Sequence, residues 1–304
     1  MVNIMCFFKF GILLLILLYP SAYAGELYKY KDDNGKWVFT DKKPMTTQKV
    51  DKIQYDGSKK GPLKPKVYVE NTKGGYALVF YNPYYAPIEV EVYSSVFQGG
   101  SYRETVAEFT TKTLYESTDK ISRFRYKWQI GDPEASEDTY LYKFPASSKQ
   151  AHTITQSFNG SFSHSKRPSI YAVDIAMSVG TYISAAREGT VIWVKDDYHM
   201  GGSNKYFLDK ANYVKVLHSD GTYAVYAHIL LGSLLVEPGD KVMAGDRLAR
   251  AGSSGYSTGP HLHFVIWKNV GLKTVSVPFK FINNTGQSFS PRRGMKVDGI
   301  EKSF

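Results

Sequence analysis

The stretch Tyr213-Val214-Lys215-Val216-Leu217-His218-Ser219-Asp220-Gly221-Thr222-Tyr223-Ala224-Val225-Tyr226-Ala227-His228 decides the fold class of this 304-residue chain. Two runs rich in β-branched and aromatic residues, 213–218 and 222–228, flank a short Ser-Asp-Gly turn, which is the pattern of a β-hairpin. Further predicted strands near this hairpin are residues 171–177, 189–195 and 262–267. Because no long segment has the 3.6-residue apolar period of a helix, the sequence predicts a mostly β chain.

Short alternating runs also recur on the N-terminal side, between residues 67 and 148. Examples are residues 77–81, 88–93 and 124–128. Several short strands at regular spacing are typical of a β-sandwich, and no cluster of nucleophiles or metal ligands accompanies them. We therefore expect a β-sandwich-like middle domain at 67–148, a second β-rich domain at 149–280 and a C-terminal extension at 281–304.

Residues 1–24 have the layout of a secretory signal peptide. Lys9 precedes an apolar run at 11–19, and an Ala-x-Ala motif occupies 22–24. A transmembrane helix needs roughly 20 apolar residues, and this run is shorter. We expect cleavage after residue 24, export, and no stable membrane span afterwards; an uncleaved N-terminal anchor is the alternative. The single cysteine, Cys6, lies in this segment, so the exported chain would have neither disulfide nor thiolate ligand.

Residues 25–56 predict a small N-terminal β domain. Aromatic-rich runs at 27–30 and 36–40 flank an Asn34-Gly35 turn, which is a strong hairpin signal. The order Tyr-Lys-Tyr, Asp-x-Gly, Phe-Thr-Asp-Lys across 28–42 resembles a short domain of unknown function found at the start of many exported proteobacterial proteins. A polar, breaker-rich linker follows at 57–66.

Several side chains near the hairpin suit a metal site. His261 and His263 stand at positions i and i+2 of a predicted strand and so share a face. Asp174 lies within an apolar strand, where a carboxylate is costly unless it is paired or bound to a cation. His164 precedes Asp174, and a turn at 165–169 brings the chain back beside itself. Each residue alone is more often structural, but the set together suits zinc.

His228 ends the second strand of the hairpin. Strand alternation places it on the face of Tyr226, and its strand could lie beside the strand of His261 and His263. Ordinary structural or surface roles are expected for the remaining histidines, which are His152, His199 and His218.

Residues 159–269 resemble the lysostaphin-type (LytM-type) zinc metalloendopeptidases, which cut peptide cross-links in bacterial peptidoglycan. The motifs that carry the resemblance are Ser163-His164, Tyr171-Ala172-Val173-Asp174, Tyr226-Ala227-His228 and Gly252-Ser253-Ser254-Gly255-Tyr256-Ser257-Thr258-Gly259-Pro260-His261-Leu262-His263-Phe264. The resemblance implies that the zinc ligands are His164, Asp174 and His263, and that the residues close to the reacting centre are His228 and His261.

Two features depart from the family pattern. Nine residues separate His164 from Asp174, where the family commonly has three. Val265 also stands where many members have Glu, on the strand face of the two histidines but outside the ligand set.

The resemblance further implies a β-rich zinc peptidase domain with Zn²⁺ as its cofactor. Zinc with three protein ligands keeps one position for water and lowers the pKa of that water to about 7, so we expect hydrolysis by a zinc-bound water. His228 and His261 would orient the water, transfer protons or stabilise the oxyanion. The expected partners are peptidoglycan stem peptides, cut between D-alanine and diaminopimelate or, alternatively, at glycine bridges. The other classes considered are a catalytically silent wall-binding or regulatory module of the same fold and a copper carrier using His and Met.

The charge balance is consistent with the cell envelope. A formal net charge of +10 suits a polyanionic neighbour such as a bacterial wall or an anionic membrane surface, although ordinary solubility accounts for it equally well. No basic run is longer than a pair such as Lys42-Lys43 or Lys59-Lys60, so we expect no nucleic-acid partner. The export signal leads us to expect a periplasmic or cell-envelope location.

Overall fold

The described residues of the computed structural model are 24–31, 37–40, 43–56, 64–136 and 138–300. Residues 1–23 of the expected signal peptide, the Asn34-Gly35 turn and most of the linker lie outside them, whereas Ala24 is the first residue of a described strand. Within the described part the regular elements are all strands except a three-residue 3-10 helix, Lys205–Phe207, which confirms the mostly β prediction. The described chain includes no helix of the length and apolarity that a membrane crossing requires.

The N-terminal strands form a small antiparallel sheet in the order β2-β1-β3. These strands are β1 (Ala24–Lys31), β2 (Trp37–Thr40) and β3 (Asp51–Asp56). Tyr28 lies opposite Thr40 and Lys31 opposite Trp37, so the predicted hairpin pairing is confirmed.

The middle of the chain forms two antiparallel sheets, β4-β5-β8 and β7-β6-β9. Their strands are β4 (Lys66–Thr72), β5 (Gly75–Tyr81), β6 (Ile88–Tyr93), β7 (Ser101–Val106), β8 (Thr111–Ser117) and β9 (Arg125–Ile130). Leu78 and Phe80 of β5 and Val90 and Val92 of β6 are fully buried in one core. Two sheets that share a core confirm a sandwich-like fold for the middle of the chain, whereas the domain limits 67 and 148 stay a prediction.

The rest of the chain is built around one antiparallel sheet of nine strands, in the order β19-β15-β17-β18-β22-β13-β12-β26 with β23 paired to β22. The strands of this region are β10 (Leu141–Lys143), β11 (Ala146–Ser147), β12 (Ala151–Gln156), β13 (Val173–Ala176), β14 (Tyr182–Ser184), β15 (Gly189–Lys195), β16 (Gly201–Gly202), β17 (Tyr213–Leu217), β18 (Tyr223–Ala227), β19 (Lys241–Val242), β20 (Arg247–Arg250), β21 (Gly255–Tyr256), β22 (His261–Asn269), β23 (Thr274–Ser276), β24 (Lys280–Ile282), β25 (Ser288–Phe289) and β26 (Lys296–Asp298).

The predicted strands of this region are present with modest changes in length. The hairpin is β17–β18, with Leu217 opposite Tyr223, and 189–195 is β15. The strand predicted at 171–177 is shorter, because Ala172 still belongs to a turn in which its N–H donates to the Ser169 carbonyl oxygen.

One face of the nine-stranded sheet packs against an apolar core. Tyr226 of β18 and Leu262, Phe264 and Ile266 of β22 are buried there, at the two-residue spacing that strands impose. The Tyr226 hydroxyl also accepts a hydrogen bond from the Ala186 amide at 2.8 Å.

Residues on both sides of the predicted 149–280 domain contribute to this core. Its buried members outside those limits are Tyr142, Phe144, Ala146, Phe281 and Val297. Strand β10 pairs with β24, and β26 pairs with β12 at the end of the nine-stranded sheet. The limits 149 and 280 themselves stay a prediction.

The opposite face of the sheet is covered only in part, by the middle domain. The Tyr84 ring lies 4.9 Å from the ring of Trp193 on β15. The buried Glu89 carboxylate accepts hydrogen bonds from Asn269 Nδ2 and from the Leu272 amide, both at 2.6 Å. The remainder of this face is a groove, and its lining includes Asp174, His228, His261 and His263.

Candidate metal centre

Three of the predicted residues converge on one point in the groove. One ligand atom each from His164, Asp174 and His263 lie within 4.8 Å of one another. Asp174 Oδ1 is 2.9 Å from His263 Nδ1 and 3.2 Å from His164 Nε2. Asp174 on β13 is directly opposite His263 on β22, whereas His164 comes from the loop before β13. Two imidazoles and one carboxylate are a donor set that zinc takes in hydrolases, so the residues fit this metal.

The loop that carries His164 fixes its ring. The side chain is fully buried, and Nδ1 lies 3.1 Å from the Ser157 carbonyl oxygen. A carbonyl oxygen only accepts, so Nδ1 carries a proton, and Nε2 is the ring atom that faces Asp174 and is left for a metal. Metal-binding histidines are usually oriented in this way by a carbonyl or carboxylate. A turn in which the Ser169 amide donates to the Lys166 carbonyl oxygen accommodates the long spacing to Asp174.

Gln156 holds the carboxylate, although the sequence analysis did not single it out. It lies opposite Asp174 in the β12–β13 pairing, and its Nε2 donates to Asp174 Oδ2 at 2.8 Å. Its Oε1 accepts hydrogen bonds from the amides of Phe162 and Ser163, at 3.1 and 3.3 Å. One amide group therefore ties the His164 loop to Asp174. Glutamine in a strand has no distinctive sequence signal, and only the register brings it here.

Asp174 is ionised in this setting. Burial by itself raises the pKa of its carboxyl group, but the adjacent imidazoles of His164 and His263 outweigh burial and lower the pKa below its ordinary value. The centre therefore offers a negative charge to a cation.

His228 and His261 lie beside the three residues. Their ring centroids are 4.5 Å apart, and the ring of His228 is 5.9 Å from that of His263. Nδ1 of His228 donates to the Ser254 carbonyl oxygen at 2.6 Å, and Nδ1 of His261 donates to that of Gly259 at 2.8 Å. Burial lowers the pKa of both, to about 3 for His228. Both rings are thus neutral at pH 7, with an Nε2 that can accept a proton.

The prediction that His228 shares a face with Tyr226 is wrong. His228 has a φ of 64°, in the left-handed region, immediately after the last residue of β18. This conformation is uncommon outside glycine, although histidine adopts it more often than most residues. It breaks the strand alternation and turns the ring onto the face of His261 and His263.

The groove around these residues has a volume of about 1040 Å³. Phe162 of the His164 loop stacks on Tyr256 at one rim, with centroids 5.9 Å apart and planes 14° apart. Arg292 and Arg293, from the segment predicted as a C-terminal extension, also line it. The sequence held no signal for these arginines because they reach the groove only through long-range packing.

Two of the histidines expected to be structural have structural contacts. Nδ1 of His218 donates to the Glu188 carbonyl oxygen at 2.9 Å. His152 lies between the Ser148 hydroxyl, at 2.6 Å, and the Ala176 carbonyl oxygen, at 3.2 Å.

Residues 169–275 match the model of peptidase family M23. The chain carries a domain of peptidase family M23. The match begins after His164, so the contact of this histidine with Asp174 is an independent observation. Residues 14–66 match a domain of unknown function, DUF4124, as the N-terminal resemblance predicted.

Relatives of the M23 domain include named peptidases. An uncharacterized metalloprotease of Buchnera aphidicola subsp. Baizongia pistaciae is 29% identical over 162 residues, which cover 52% of this chain and 38% of that protein. The glycyl-glycine endopeptidase ALE-1 of Staphylococcus capitis is 32% identical over 120 residues, which cover 38% of this chain and 30% of that protein. The peptidoglycan DD-endopeptidase ShyA of Vibrio cholerae serotype O1 is 33% identical over 91 residues, which cover 30% of this chain and 18% of that protein. The matched part thus spans less than half the length of each of these relatives.

Proposed function

We propose that the chain is a zinc-dependent endopeptidase that hydrolyses peptide cross-links of bacterial peptidoglycan. The observation that carries this proposal is the convergence of His164, Asp174 and His263 in an open groove, with two neutral imidazoles beside them. The donor set lacks methionine and thiolate, which argues against copper transport. The endopeptidase names of ALE-1 and ShyA support the reaction class.

In this proposal, zinc would be held by His164, Asp174 and His263. When bound, the metal supplies a polarising positive charge and lowers the pKa of water to about 7. His228 and His261 take up the proton of the attacking water and return it to the leaving amine, since each donates through Nδ1 to a carbonyl oxygen and keeps Nε2 as the proton acceptor. Backbone carbonyl oxygens hold both Nδ1 atoms and so fix the direction in which each Nε2 points.

The substrate that we propose is the cross-link between D-alanine and diaminopimelate, with glycine bridges as the alternative. The signal-like residues 1–24 and the DUF4124 match support an exported chain in the periplasm or cell envelope. The formal net charge of +10 suits a polyanionic wall.

The test is digestion of purified sacculi by the zinc-loaded chain, with the released muropeptides identified by mass spectrometry. We expect cross-linked dimers to be converted to monomers, and we expect Asp174→Ala to abolish this conversion. A chelator should stop the reaction and added zinc should restore it. A chain that binds sacculi and zinc but leaves every cross-link intact would instead be the silent wall-binding or regulatory module.

A further inference from the structure

Lys215 lies on the floor of the groove, on the same sheet face as the metal centre. In the strand register Lys215 lies opposite Val225, which in turn lies opposite Val265. Ala227 and His263 face each other two residues away along the same two strands, β18 and β22. With strands about 4.8 Å apart and about 3.4 Å per residue, the Cα atoms of Lys215 and His263 are roughly 12 Å apart. The Lys215 side chain lines the same groove as the metal centre.

The Lys215 ammonium group is surrounded by aromatic rings. Its Nζ lies 5.2 Å from the ring centroid of Tyr213, 5.3 Å from Trp267, 5.6 Å from Trp193 and 5.9 Å from Tyr223. Ring faces attract a cation but accept no conventional hydrogen bond. Among the residues that the structure describes, none places an oxygen acceptor or a carboxylate within bonding distance of this nitrogen. Its three N–H donors therefore have no acceptor among the described residues.

Other cations of the chain show the contrast. Arg187, which is buried, contacts Asp220 at 2.8 Å, and Lys127 contacts Glu91 at 2.7 Å. A cation that is largely removed from water needs a counter-charge, and burial lowers the pKa of Lys215 to about 8. Because Lys215 faces the groove, an anionic group of a bound molecule can supply this counter-charge.

We propose that Lys215 and its four aromatic neighbours form a subsite for a free carboxylate of the bound peptide. The distance of roughly 12 Å corresponds to about three or four residues of extended peptide between this carboxylate and the cut bond. The inference rests on the proposed function, because it names a specificity determinant of the same groove. Lys215 positions the substrate and touches none of the reacting atoms.

The test compares two matched probes on the full zinc-loaded chain. Soluble muropeptides are used as released, or after their carboxylates have been converted to amides with carbodiimide and ammonium. Binding is followed by tryptophan fluorescence, because Trp193 and Trp267 border the subsite. We expect the native fragments to bind roughly 10- to 100-fold more tightly than the amidated ones, as charged hydrogen bonds allow.

Two substitutions of Lys215 isolate its charge. Lys215→Met keeps the apolar length and should remove the preference for native fragments, leaving zinc content and the binding of amidated fragments unchanged. Lys215→Arg should keep most of the preference. A Lys215→Met chain with the wild-type preference would overturn the subsite.

The pH dependence of the wild-type chain provides a measurement that needs no variant. Burial raises the pKa of Tyr213 and Tyr223 to about 12 and also raises that of Tyr84, so these neighbours stay neutral. The ammonium form is lost as the pH rises past about 8, and the preference for native fragments should disappear with it. A preference that is constant from pH 7 to pH 10 contradicts the subsite.

These outcomes separate the two proposals. A wild-type chain that binds and cuts native and amidated fragments equally well contradicts the subsite alone. A wild-type chain that neither binds nor cuts native fragments contradicts the proposed function and the subsite together.

Discussion

At the scale of single residues, His261 and His263 stand two positions apart but have different partners. His263 Nδ1 faces Asp174, whereas His261 Nδ1 is bonded to the Gly259 carbonyl oxygen. We expect His263→Ala to lose zinc, because only two ligands remain. We expect His261→Ala to keep zinc while turnover falls by about 10² to 10⁴-fold, as for loss of an acid–base group. Zinc content per chain and the rate of muropeptide hydrolysis measure the two effects.

The same experiment includes further variants. Asp174→Ala should behave like His263→Ala, and His228→Ala like His261→Ala. His199→Ala, in the loop after β15, is the control and should change neither quantity. If His261→Ala loses metal as completely as His263→Ala, the division of roles is wrong even though the enzyme class survives.

Gln156 allows a prediction about the surroundings of the metal. Gln156→Leu removes the hydrogen bonds to Asp174 Oδ2 and to the His164 loop without removing a ligand. Loss of such an outer contact typically weakens metal binding by about 10- to 100-fold. Competition with a chelator measures the affinity, and Gln150→Leu, at an exposed position, is the control. An unchanged affinity would show that the loop and the carboxylate hold their positions without the amide.

The sequence singled out the five histidine and aspartate side chains that the structure brings close together, from their residue types and from the family resemblance; their roles stay a prediction. Gln156, Lys215 and the groove arginines were not predicted. Their roles depend on which strand lies beside which, and a glutamine or lysine in a strand has no local signal that distinguishes a site residue from an exposed one.

At the scale of elements, the β17–β18 hairpin contains a buried histidine at its turn. The ring of His218 packs against Tyr142 at 5.8 Å, and its Nε2 is among the buried side-chain atoms of the described residues without a hydrogen-bond partner. Burial lowers the pKa of His218 to about 4, so the folded chain keeps this ring neutral.

This histidine should make the fold sensitive to acid. Its pKa in the unfolded chain is about 6.5, so between pH 6.5 and 4 the unfolded state binds more protons than the folded state. The free energy of unfolding should therefore fall as the pH decreases through this window, by up to about 3 kcal/mol from this group. Urea unfolding at pH 7, 5.5 and 4 measures the slope. His218→Gln should be less steep than the wild type; an equal slope in both chains contradicts the assignment.

Strand periodicity predicted the hairpin and the sheet face on which most of its side chains lie, but it failed at the end of β18. The left-handed φ of His228 reverses its side, and this depends on the hydrogen bond from its Nδ1 to Ser254, a residue distant in sequence. The loop that carries Ser254 in turn depends on Gly255. It has a φ of 79°, and a Cβ there would lie 2.7 Å from Ala211 atoms, so the loop that carries Ser254 requires glycine.

At the scale of the whole molecule, the nine-stranded sheet is covered by parts of the chain that are far apart in sequence. Phe281 packs on one face, where Val297 of the last strand β26 joins the same core, and the middle domain packs on the other face through Tyr84 and Glu89. The sequence predicted the order of the β-rich regions. It did not predict that residues before 149 and after 280 share the same core. The pairing of strands that are distant in sequence, such as β12 with β26, does not change the apolar pattern of either segment.

Three fragments test how far the fold depends on these contacts. A 149–280 fragment lacks Tyr142, Phe144, Phe281 and Val297, and loss of each large buried apolar side chain costs roughly 2 to 5 kcal/mol. Their combined loss is comparable to the whole stability of a typical domain, about 5 to 15 kcal/mol, so we expect this fragment not to fold.

A 139–300 fragment restores those core residues but uncovers Val225 and Val265, which the middle domain helps to bury. We expect it to fold, to bind zinc and to unfold at a lower temperature than a 64–300 fragment, because exposure of apolar area costs about 25 cal/mol per Å². Thermal unfolding and zinc content compare the three. A 149–280 fragment that unfolds cooperatively at the temperature of the 64–300 fragment would show that the peptidase core ends where the sequence placed it, and that the flanking strands are additions to a sheet stable without them.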